Sequence, residues 1–277
     1  MALKILVTVI CIVAVLFLLE LFLVLPGGKL KKESEKFYHV NFAHRGLHTK
    51  DMSVPENSMA AFKAAVDAGY GIELDIQFSK DDQIVVFHDE TLNRVCGVDG
   101  RLDAFTYDEL KKMGLSGTDE HIPLFSEVLE LIDGRVPLLV ELKSCRKNKL
   151  LCEKALPMLR AYKGDFCIES FSPIIVKWFR KNAPDILRGQ LSAPVDDFRE
   201  YIPAFIAFIL SRCFTNFLSR PHFISYNKVK PPMSVRLSEK LGAMRYVWTV
   251  RPADDIRTLE KINDAVIFEY YTPEAKY

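Results

Sequence analysis

Four short strings combine acidic, basic and imidazole side chains: His44-Arg45-Gly46, Glu73-Leu74-Asp75, His88-Asp89 and Glu141-Leu142-Lys143. Residues two apart in an extended strand share a face, so Glu73 and Asp75 project together, as do Glu141 and Lys143. An inward face carrying charge is costly unless the charges are paired or hold a metal. Three carboxylates gathered with a lysine and an arginine predict an all-oxygen cage for a hard divalent cation, facing an anionic substrate. The two histidines suit proton transfer, because an unperturbed pKa of about 6.5 leaves both protonation states accessible at neutral pH.

These strings need a scaffold, and the hydrophobic pattern supplies one. Short β-branched and aromatic runs predict strands over 39–43, 72–78, 84–87, 138–142, 166–170, 187–191, 223–225, 246–250 and 265–268. Helical patterns fall between them, over 58–68, 106–113, 124–132, 150–162, 173–182, 234–241 and 253–262. Only 79–83 separates the second strand from the third. A parallel crossover needs about a dozen residues, so these two form a hairpin. Eight parallel strands remain. The expected fold is an α/β, TIM-type (β/α)8 barrel with an extra hairpin ribbon and a small insertion over 94–118. Its active residues belong at the C-terminal ends of the strands.

The chain has 277 residues, 49% of them apolar, enough for one sizeable core. A formal net charge of +1 leaves no nucleic-acid footprint. Its six cysteines match no CxxC pattern. Residues 5–25 are apolar except Thr8, Cys11 and Glu20, which is long enough to span a bilayer. The run exceeds the ~7–15 residues of a signal-peptide core and no A-x-A-like site follows, so a retained transmembrane helix is expected. Lys29, Lys31, Lys32 and Lys36 follow the helix and only Lys4 precedes it, so the positive-inside bias puts the catalytic part in the cytoplasm. Scattered free cysteines agree. The division is an anchor at 1–28, a basic juxtamembrane linker at 29–37 and a barrel at 38–277. The very apolar stretch 201–218 reads either as a barrel helix or as a rim that dips into lipid. His39, His48, His121 and His222 lack a motif and read as surface or satisfied side chains.

Taken in order, Ala43-His44-Arg45-Gly46, Pro55-Glu56-Asn57-Ser58, Ile72-Glu73-Leu74-Asp75-Ile76, Val86-Phe87-His88-Asp89 and Val140-Glu141-Leu142-Lys143 resemble the glycerophosphodiester phosphodiesterase family. Ser170-Phe171 and Val247-Trp248-Thr249-Val250 resemble its later strands. The resemblance implies that Glu73, Asp75 and Glu141 bind one Mg²⁺ or Ca²⁺, and that His44 and His88 act as general acid and base. It implies phosphate binding by Arg45 and Lys143, with Trp248 packing near a glycerol moiety. Glu56 is expected to steer Arg45 or a metal-bound water, or else to neighbour the cap of the following helix. The implied reaction is hydrolysis of a glycerophosphodiester or lysophospholipid. A phosphoinositide-type phospholipase C and a non-catalytic membrane-bound barrel are the alternatives. The sequence departs from the family pattern at Glu269 and at His222, where aspartates are usual.

Overall fold

A computed structural model describes residues 1–28 and 30–275. Lys29 of the expected linker and the last two residues of the expected 38–277 domain lie outside the described residues. Among the described residues the nine strands are β1 (Val40–Ala43), β2 (Gly71–Phe78), β3 (Ile84–Val86), β4 (Leu138–Leu142), β5 (Phe166–Ser170), β6 (Arg188–Ser192), β7 (Phe223–Asn227), β8 (Met244–Val250) and β9 (Ala265–Phe268). Eight are parallel neighbours, and pairing of β1 with both β2 and β9 closes the barrel. β3 pairs antiparallel with β2, with Ile76 opposite Val86, as the short 79–83 connection requires.

Strand alternation sorts the side chains. In β2 the buried Ile72, Leu74 and Ile76 face outward onto the helices, packing with Phe62, Phe125 and Phe179. Glu73 and Asp75 therefore face in. Below them the barrel is filled by Phe42, Leu139, Cys167, Phe223, Tyr246 and Ile267. Phe223 stacks on Tyr246 with ring centroids 4.1 Å apart. Gly189 makes this possible, because a Cβ there would lie 2.0 Å from the Phe223 ring. Burying one such aromatic side chain stabilises the fold by about 1.5–3 kcal/mol.

The insertion after β3 packs its own small core around Val85, Leu92, Leu102, Leu110 and Ile122. Three helical expectations are trimmed or broken. Residues 106–113 are helical only over Tyr107–Leu110, 253–262 only over Ile256–Ile262, and 201–218 divides into Ala204–Ser211 and Asn216–Ser219. The described part of the expected linker, 30–37, is folded rather than extended. It holds a helical turn, Lys31–Glu35, and buries Phe37 in the barrel floor.

The N-terminal helix spans Ala2–Val24 and is long and apolar enough to cross a membrane. Its apolar side chains from Leu3 to Leu19 are all half or more exposed. Only its last turn meets the barrel. Arg220 donates to the carbonyls of Phe22 (2.9 Å) and Leu25 (2.8 Å), and Gly27 N–H donates to Pro221 O at 2.8 Å. The Arg220 bonds satisfy helix-end carbonyls that have no partner within the helix.

Candidate active site

The site is assembled where strands end. β1 stops at Ala43 and the chain turns through Arg45 (φ 55°) and Gly46 (φ 80°). A Cβ on Gly46 would stand 2.8 Å from the Cβ of Ala61, so glycine answers both a left-handed backbone and a close helix approach. The turn presents the Arg45 N–H to Glu73 Oε2 at 2.9 Å. β2 and β4 run in a register that puts Asp75 opposite Glu141, and β5 adds Glu169 opposite Glu141. Ligand oxygens of Glu73, Asp75 and Glu141 all lie within 4.8 Å of one another, the one such cluster among the described residues. Lys143 Nζ bridges two of them, 2.8 Å from Asp75 Oδ1 and 2.9 Å from Glu141 Oε1. Asn57 Nδ2 donates to Asp75 Oδ2 at 2.9 Å, while Ser58 Oγ caps the helix Met59–Asp67.

The charges do not balance within this cluster. Burial pushes the Glu73 carboxyl well up, and the neighbouring Asp75 and Glu141 add to it. Burial likewise raises Glu141 to about 7, despite Lys143 beside it. Glu169 is raised by burial and then by Glu141. Asp75 goes the other way, because Lys143, His88 and Arg45 more than offset its burial. A buried set of carboxylates short of positive charge, with oxygens this close, fits a hard divalent cation.

Both motif histidines are oriented through Nδ1. His44 Nδ1 lies 2.6 Å from Glu269 Oε1, and its Nε2 faces Glu73 Oε2 at 3.8 Å. His88 Nδ1 lies 2.6 Å from Asp89 Oδ1. A carboxylate at Nδ1 favours the tautomer with the proton there, leaving Nε2 free to accept one. Burial, followed by the charge of Arg45, lowers His44 to about 4. Burial and then Lys143 lower His88. Gln77 Nε2 donates to the carbonyls of Phe87 and Asp89, pinning the backbone on either side of His88.

Glu56 turns both oxygens to arginines rather than into open space. Arg45 Nη1 donates to Oε1 at 2.7 Å, and Arg94 bonds both oxygens at 2.7 and 2.8 Å. Burial pushes its carboxyl up, but the two guanidiniums prevail and hold it at about 2. Arg94 also grips Asp89 (Nε to Oδ2, 2.7 Å), so one side chain of the insertion links the Arg45 and His88 arms.

The cavity above the carboxylates has a volume of about 270 Å³. Its polar lining includes His44, His88, Arg45 and Arg251. Its apolar lining includes Phe171, Leu191 and Trp248. Trp248 is fixed by its Nε1 donating to Ser225 O at 3.1 Å and by edge contact with Phe171 at 5.8 Å.

Every predicted site residue is therefore found around one cavity or in contact with its lining. Sequence reasoning quoted Asp89 beside His88 without giving it a role, and missed Glu169, Arg94, Gln77 and Arg251. Only Glu169 carried a signal, as a lone acid within an apolar strand. Glu269 is no bystander, since it also accepts from Arg251 Nε at 2.8 Å. Of the histidines read as satisfied, His48 is buried 3.7 Å from Glu269, and His222 is buried with Nδ1 accepting from the Arg188 N–H at 3.2 Å.

Residues 44–271 match the model of the Glycerophosphoryl diester phosphodiesterase family. A glycerophosphodiester phosphodiesterase of Caldanaerobacter subterraneus subsp. tengcongensis is 37% identical over 160 residues, 54% of this chain and 65% of that protein. The human lysophospholipase D GDPD1 is 32% identical over 164 residues, 54% of this chain and 50% of that protein. Both alignments span less than two thirds of the relative. An Oleispira antarctica phosphodiesterase, solved with its product sn-glycerol-3-phosphate, superposes with a TM-score of 0.68 at 21% identity, over 85% of this chain and 94% of that one. At that identity the likeness establishes the barrel fold.

Proposed function

Because the chain belongs to the glycerophosphoryl diester phosphodiesterase family, we propose that it hydrolyses a glycerophosphodiester or lysophospholipid to a phosphomonoester and an alcohol. The observation that carries this reading is the trio Glu73, Asp75 and Glu141, with oxygens within 4.8 Å, beside two histidines oriented by carboxylates. The trio would hold one divalent cation, Mg²⁺ or Ca²⁺, which when bound supplies positive charge against the phosphate oxygens. Arg45 and Lys143 add fixed positive charge on the same side, where negative charge grows during attack at phosphorus. Glu56 keeps Arg45 in place. One of His44 and His88 accepts, through Nε2, the proton of the attacking oxygen, either of water or of the glycerol hydroxyl, whose attack gives a cyclic phosphodiester that water then opens. The other, entering protonated, gives its proton to the leaving alcohol. Such proton transfer contributes about 10²–10⁴-fold. Trp248 and Phe171 offer an apolar wall to the glycerol or acyl portion.

The apolar helix Ala2–Val24 is read as a retained single-pass anchor, with the barrel on the cytoplasmic side. Its last carbonyls are bonded by Arg220 of the barrel, contacts that cleavage would discard. The test is product identification after incubating the purified chain with glycerophosphocholine and lysophosphatidylcholine, with EDTA and with Mg²⁺ or Ca²⁺ restored. A phosphomonoester formed only when metal is present is the expected result. Turnover unaffected by EDTA would remove the metal from the reading, and no turnover of any phosphodiester would remove the reaction.

A further inference from the structure

The segment following β6 leaves four large apolar side chains in water: Tyr201 is 82% exposed, Phe205 74%, Ile206 45% and Phe208 42%. Contiguous apolar surface of this kind marks a partner. Between positions 201 and 222 there is no aspartate or glutamate, while Arg212 and Arg220 are present. The Arg212 guanidinium lies 3.8 Å from the centroid of the Phe208 ring. That posture suits a side chain that covers apolar surface while its charge reaches a polar layer.

The patch is continuous with the apolar helix in one direction. Phe208 packs on Phe214 at 6.2 Å, and one turn further on Phe217 packs on Phe22 of the N-terminal helix at 5.7 Å. Arg220, bonded to the end of that helix, stands 5.1 Å from the Phe22 ring centroid. In the other direction the patch is continuous with the catalytic cavity. The short helix Val195–Arg199 abuts Ala204–Ser211, and its Phe198 packs edge-on against Phe171 at 5.8 Å.

We propose that the exposed face of 201–208 is a second membrane-contacting surface, seated in the interface of the bilayer that takes the N-terminal helix. Its partner is a lipid surface, with anionic headgroups opposite Arg212 and Arg220. Contact through Phe217 and Arg220 with an apolar helix of spanning length favours lipid over a second copy of the chain, as does the lack of any acidic residue between 201 and 222. One consequence rests on the phosphodiesterase reading. A phosphodiester borne on an acyl chain would pass from the bilayer along Phe198, Phe171 and Trp248 to the carboxylate cage without entering bulk water.

Full-length protein in vesicles of phosphatidylcholine and phosphatidylglycerol tests the surface directly. Phe205→Trp should add blue-shifted emission, quenched when the lipid chains carry bromine. Unquenched emission overturns the proposal, as does emission that responds to protein-to-lipid ratio but not to bromine, the mark of a second copy on the patch. The double substitution Phe205→Glu with Phe208→Glu should cut turnover of vesicle-borne lysophosphatidylcholine about tenfold or more, leaving soluble glycerophosphocholine turnover unchanged. Equal loss on both substrates, or no loss on either, counts against the proposed surface. If the unsubstituted protein cleaves neither substrate, the phosphodiesterase reading fails, while the quenching experiment still decides the surface.

Discussion

At the scale of single residues, the site divides into groups that hold charge and groups that hold position. Asp75 belongs to the first kind, meeting Lys143, Asn57 and the cage at once. Replacing Asp75 by Asn keeps the shape and removes the charge of a proposed metal ligand. The expected outcome is a loss of about 10²-fold or more in kcat/KM, with weaker divalent-ion binding by calorimetry. Unchanged metal affinity would exclude Asp75 from the cage. Glu269 is of the second kind, touching His44 and Arg251 rather than the cage. Glu269→Gln should lower kcat by about 10²-fold, because the His44 tautomer is no longer imposed by a charged acceptor. Metal affinity should stay unchanged, which separates this loss from that of Asp75→Asn.

At the scale of elements, the strands position the site and the turns between them set its stability. Gly189 on β6 lies against the stacked Phe223 and Tyr246, so Gly189→Val overpacks the barrel floor. A loss of about 1–3 kcal/mol in urea unfolding is expected, and a neutral result would mean the floor can yield. His222, at the entry to β7, adds a pH dependence. Burial, and then Arg188, lower its pKa to about 3. An unfolded chain protonates this imidazole near pH 6.5, whereas the folded chain holds it neutral until about pH 3. Between those values the unfolded state binds the extra proton. Stability therefore falls as pH drops through the window and is fully recovered above about 6.5. His222→Asn retains an acceptor for the Arg188 N–H and should flatten the difference in unfolding free energy between pH 5 and pH 7. An unaltered slope would assign the effect to other groups.

At the scale of the whole molecule, one barrel serves a polar mouth, an apolar wall and a joint with the apolar N-terminal helix. Removing residues 1–28 deletes the partners of the Arg220 guanidinium and of the Pro221 carbonyl but no side chain of the cavity. The shortened chain should be soluble and keep the proposed activity on glycerophosphocholine, with a modest loss of stability, about 1–2 kcal/mol for the bonds left unmade. Sedimentation and a soluble-substrate assay check this. Loss of soluble-substrate turnover by the folded fragment would mean that the helix does more than the anchoring proposed for it.

The sequence by itself determined the barrel, because strand alternation and the length of the 79–83 connection are local properties. It also marked Glu73, Asp75, Glu141, His44 and His88, since i, i+2 spacing and strand ends place side chains without knowledge of their neighbours. Only the tertiary structure decided what those residues meet. Glu269 reaching His44, Glu169 standing opposite Glu141, and Arg94 joining Glu56 to Asp89 are contacts between distant positions. No periodicity encodes such a contact, because it depends on barrel closure and on an insertion folding back. The break of 201–218 into two helices, and the exposure of its aromatic face, likewise follow from where packing partners end rather than from the apolar composition of the segment.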